Sequence, residues 1–130
     1  MGNKLQILKV LLIAGALYYF IGAIVHLFGL TVFPFYDGVL YQPYHDTVIA
    51  LSAITLGLLL YVIARDPKKN IDALNIIIVS GIIAIIFSIG IIININFDQL
   101  GAHLKRTQTI VEAVLLVCYV FVLNYFKPKK

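Results

Sequence analysis

Tryptophan is absent from this chain, cysteine occurs once, and charged side chains make up only 12% of it. Each shortage excludes something. The lone cysteine, Cys118, lies inside an apolar run, so neither an intramolecular disulfide nor a CxxC redox pair can form. Disulfide-generating thiol chemistry is excluded with them. Without tryptophan, the eight Tyr and eight Phe must supply any aromatic belt at a membrane interface. The His, Asp and Glu residues show no HxxxH, HExxH or ExxH spacing, and no glycine-rich phosphate loop is present. Nucleophilic catalysis lacks a candidate, because Cys118 has no evident activating neighbour and Ser52 and Ser88 read as small packing residues. A non-enzymatic protein is the expectation.

What the chain has instead is hydrocarbon. Apolar residues make up 62% of it, and its mean hydropathy is +1.00. Soluble domains are nearer ~45–50% apolar and ~25% charged. A domain of 130 residues cannot bury that excess, since small folds hide only part of their surface. The reading is an all-α integral membrane protein, a single transmembrane domain over residues 1–130.

Four apolar segments carry this reading, at residues 10–30, 48–64, 73–95 and 110–126. Each falls within the roughly 17–25 residues that a helix needs to cross a bilayer. The first exceeds the ~7–15-residue core of a signal peptide and is followed by aromatics, so it reads as a retained helix. Short connections make two antiparallel hairpins in a small up-down four-helix bundle. Of the ten Lys and Arg residues, all but Lys105 and Arg106 lie at the termini or in "RDPKKN". The net charge of +4 is therefore a topology signal rather than a nucleic-acid one. By the positive-inside rule both termini are cytoplasmic. Usage rich in Ile and Lys suggests the plasma membrane of an AT-rich prokaryote.

Small residues mark the faces expected to pack, because helices in lipid associate through close backbone approach. Gly15, Gly22 and Gly29 recur every seven residues, with Tyr19 and His26 between them on the same face. The second helix repeats the pattern with Ala50, Ala53, Gly57 and Ala64, a stripe that Asp46 extends outward. The third offers Gly81, Ala84 and Ser88. The fourth has no such stripe and is expected at the periphery or against another subunit.

Polar residues gather towards the outer side, while the inner half is nearly all aliphatic. His26, His45, Asp46 and Glu112 are the candidate metal ligands, since imidazole and carboxylate suit Zn, Cu or Fe. Each also has a plainer reading. Glu112 completes "TIVE", a capping box with Thr109. Asp46 reads as a helix cap, or as a first-turn acid behind Pro43. His45 reads as a headgroup-zone residue, His103 as a solvated loop residue, and His26 as a structural hydrogen-bonding group. The aromatic loop "TVFPFYDGVLYQPY" reads either as an interfacial anchor or as a lid over a lipid-like ligand.

Three functions remain open at this point. The first is a non-catalytic accessory or assembly subunit of a larger membrane complex, in contact with lipid and with other subunits or copies of itself. The second is a membrane-embedded protein that binds a metal, haem, quinone or lipid at the outer polar cluster. The third is a small proton-coupled transporter built on Glu112.

Overall fold

In a computed structural model, residues 2–32, 35–100 and 105–128 are described. They form four long helices: α1 (Gly2–Phe28), α2 (Pro43–Arg65), α3 (Ile71–Asn94) and α4 (Lys105–Phe126). Short 3₁₀ turns lie at Gly38–Leu40 and Phe97–Leu100. All four helices are long and apolar enough to cross a membrane.

The helices outrun the apolar segments that announce them. α1 starts at Gly2 and carries Lys4 and Lys9 within it. α4 starts at Lys105, so Thr109 and Glu112 stand inside the helix and form no capping box at its start. Hydropathy marks where lipid ends, whereas polar residues with good helix propensity continue the helix beyond it. α1 ends at Phe28, earlier than its apolar run. Gly29 takes the left-handed conformation (φ +58), and Leu30 N–H donates to the Val25 carbonyl at 3.0 Å. That is a glycine-terminated helix end of the Schellman type.

The densest packing is within the first hairpin, between α1 and α2. On α2 the buried face runs Asp46, Ala50, Ala53, Gly57, Leu60 and Ala64, alternating steps of four and three. Such a stripe keeps one side of a helix against a neighbour along its length. Phe20 lies over Gly57, where an added Cβ would come within 2.8 Å of its ring. α3 packs mainly on α4, with Gly81 giving room to Val120.

The two hairpins meet at the end that carries the termini. There, Leu8, Leu12 and Ala16 of α1 pack with Leu60 and Ile63 of α2, Leu74 and Ile78 of α3, and Val120 and Leu123 of α4. Tyr119 of α4 crosses to α1 and donates to the Leu11 carbonyl at 3.1 Å. Gly15 makes space for it, since a Cβ there would lie 2.1 Å from the Tyr119 hydroxyl. At the opposite, distal end the buried cluster shrinks to Ala23, Ala50 and Ala53, from α1 and α2 alone. Of α3, only Leu74 and Ile78 are buried among the described residues.

The small-residue stripe of α1 is therefore not one surface. Gly15 faces α4, Gly29 ends the helix, and a Cβ on Gly22 would meet no described atom within 4 Å. Ala23, one position on, is the residue that faces α2. Ala84 of α3 is exposed as well.

Basic side chains collect at the terminal end, with Lys4 over the Tyr125 ring and Lys9 donating to the Arg65 carbonyl. The α2–α3 turn closes there on buried Pro67. Asn70 occupies the N-cap position of α3, yet its side chain bonds back to the Asp66 carbonyl at 2.9 Å.

Candidate functional site

Pro43 stands at the first helical position of α2, where its missing N–H costs nothing. That start places Asp46 one turn in, on the face turned towards α1, and 4% exposed. A buried carboxylate needs hydrogen-bond donors, and Asp46 has three. Its Oδ1 lies 2.6 Å from His26 Nδ1 and accepts the Tyr36 hydroxyl at 2.8 Å. Its Oδ2 accepts the Gln42 backbone N–H at 2.6 Å. Gln42 is the N-cap of α2, and Asp46 is the first-turn acid behind Pro43, its Oδ2 holding the backbone N–H of the cap residue. The carboxylate at Nδ1 fixes the orientation of the His26 ring.

Tyr36 comes from the aromatic loop, whose described residues fold back on themselves. Val32 and Tyr36 exchange backbone bonds of 2.8 and 2.9 Å, and Phe35 N–H donates to the Val32 carbonyl. Asp37 caps the 3₁₀ turn by accepting from Val39 N–H, and Tyr41 donates to the Leu27 carbonyl. These internal bonds satisfy backbone that would otherwise be costly to bring near hydrocarbon. The Tyr36 ring is buried and lies 4.4 Å from that of His26. Burial, reinforced by the Asp46 carboxylate, pushes its phenol well above the ordinary tyrosine range, so it stays a donor. Phe35 reaches back to the Tyr18 ring, 6.1 Å between centroids. Phe33 lies outside the described residues.

Glu112 approaches from α4. It is half-buried, one turn after Gln108, on the part of α4 nearest His26, Tyr18 and Tyr19. No direct bond joins it to the Asp46 network among the described residues. His45 is exposed, edge-on to Tyr44. It makes no hydrogen bond to the Asp46 network among the described residues. His103 lies outside the described residues. Among those described, no three His, Cys, Asp or Glu side chains form a group able to hold a metal ion.

Beside this network an open cleft of about 540 Å³ separates the two hairpins at the distal end. One wall is the folded loop and the start of α2, with Tyr36, Tyr41, His45 and Ile49; the other is the start of α4, with Gln108 and Thr109. Asp46 touches the cleft through its edge. Gln42, Tyr36 and Gln108 carry parts of this site that sequence patterning did not single out as polar groups. The one signal for Tyr36 was a carboxylate on a packing face, which requires a donor from somewhere.

No family model, curated protein or solved structure matches this chain.

Proposed function

We propose that this small multi-pass membrane protein binds an amphiphilic small molecule at the distal end of its bundle, without catalysing a reaction on it. The observation that carries this reading is the junction of a preformed cleft with the Asp46 network. A scaffold needs neither a folded aromatic loop nor a buried carboxylate with three donors, whereas a binding site needs its walls held in place. The size of the cleft falls within the roughly 300–1,000 Å³ of small-molecule sites. Ile49→Trp fills the cleft from an exposed position. Mass analysis of organic extracts from protein purified in mild detergent should find a small molecule with the wild type and lose it with this variant. Identical extracts would remove the reading.

The reading places the protein in a prokaryotic plasma membrane with both termini cytoplasmic and the cleft on the outer face. The gathering of Lys and Arg at the terminal end supports that orientation. In a variant lacking Cys118, a cysteine at Asp37 should react with an impermeant thiol reagent in intact cells, and one at Lys69 should not. The opposite pattern would invert the orientation.

An accessory role in a larger complex is the second reading. It is favoured by α3, whose buried residues among those described, Leu74 and Ile78, both lie towards its terminal end. Partner proteins cross-linked to α3, together with unchanged extracts from Ile49→Trp, would establish it in place of the first.

A further inference from the structure

We infer that the distal cleft takes the uncharged ring head of a lipid-soluble quinone-class molecule, with one hydrogen-bonding group on each hairpin to hold it. The inference rests on the ligand-binding reading above and adds the chemistry of the head group.

Charge narrows the ligand first. The described lining contains one carboxylate, Asp46, and no Lys or Arg. Both oxygens of Asp46 are already engaged, by His26, Tyr36 and the Gln42 N–H. Among the described residues the lining therefore offers no Lys or Arg to a phosphate head and no unengaged carboxylate to an amine. Bringing an ionised head group there without a partner would be costly.

Shape and polarity narrow it further. Tyr36 and Tyr41 present ring surfaces, and Leu40 and Ile49 present apolar ones, which suits a flat ring better than a branched polyol. His45 on α2 and Gln108 on α4 stand on opposite walls. Each carries an N–H donor. One donor on each wall suits a ring with two opposed carbonyl oxygens. Ile49 is 46% exposed and Val39 is 83% exposed, so the lip of the cleft is apolar where an alkyl tail would leave it. The Asp46 bond to Tyr36 fixes one ring wall before any ligand arrives, which lowers the entropy cost of binding.

The test is calorimetric titration of detergent-purified protein with three probes. These are decyl-benzoquinone, dioctanoylglycerol as a neutral aliphatic head, and dioctanoyl phosphatidate as an anionic one. Decyl-benzoquinone should bind saturably, and His45→Ala and Gln108→Leu should each weaken it roughly three- to tenfold, the worth of one hydrogen bond. Both variants should melt like the wild type, and phosphatidate should show no saturable binding. If the glycerolipid or phosphatidate binds instead and Ile49→Trp abolishes it, the cleft is a ligand site but the ring-head assignment is wrong. If no probe binds and extracts of the wild type and Ile49→Trp agree, the binding reading falls with it. Quinone binding that both His45→Ala and Gln108→Leu leave unchanged also overturns the assignment.

Discussion

Gly15→Leu should cost about 2–4 kcal/mol of stability, whereas Gly22→Leu, two turns away on the same helix, should change it by no more than about 0.5 kcal/mol. The two glycines look alike in sequence. At Gly15 even a methyl group would lie 2.1 Å from the Tyr119 hydroxyl, 2.7 Å from its ring and 3.2 Å from Leu60. Tyr119 would have to swing out, giving up its bond to the Leu11 carbonyl. At Gly22 nothing described stands within 4 Å. Thermal or denaturant unfolding in detergent measures both. Tyr119→Ala should restore part of what Gly15→Leu loses, because it removes the obstructing ring. Equal losses at the two glycines would mean that the hairpins dock through a different face.

The second large effect belongs to Asp46. Asp46→Ala should destabilise by about 3 kcal/mol, because it removes the shared acceptor of three hydrogen-bond donors in a poorly solvated site. It strands the Tyr36 hydroxyl and the Gln42 N–H together with His26. Asp46→Asn should cost less but remain damaging, because its amide nitrogen must face a donor at one of the two oxygen positions. Hydrogen exchange distinguishes this from a general loss of stability. Amides of residues 35–42 should lose protection in both variants, while those around Leu60 and Leu123 should be much less affected in Asp46→Asn. Protection of the loop in Asp46→Ala equal to the wild type would show that the network does not hold it.

Much of the bundle was legible because lipid makes two patterns informative. Long apolar runs located the four helices, and the alternating small residues of α2 located its buried face, Asp46 included. The face of α1 was harder. Gly15 lies where the two hairpins meet, Gly22 lies beyond that contact and Gly29 ends the helix, so one repeat has three different surroundings. The partnership of His26 and Asp46 was only half legible. Both could be placed on packing faces, but their bond depends on where α2 starts and how residues 29–42 fold. Tyr36 and Gln42 were invisible as partners, since their roles come from loop geometry rather than periodicity.

The concentration of four-helix contact at the terminal end makes the hairpins a pair of levers. Tyr119 resting in the notch of Gly15 is the fulcrum. From there to His26 the arm measures about 16 Å at 1.5 Å per residue. A rotation of about 10° at the notch therefore moves one distal wall by roughly 3 Å against the other, near the diameter of a water molecule. Any shift at that contact is therefore magnified at the distal opening, on the far side of the bundle.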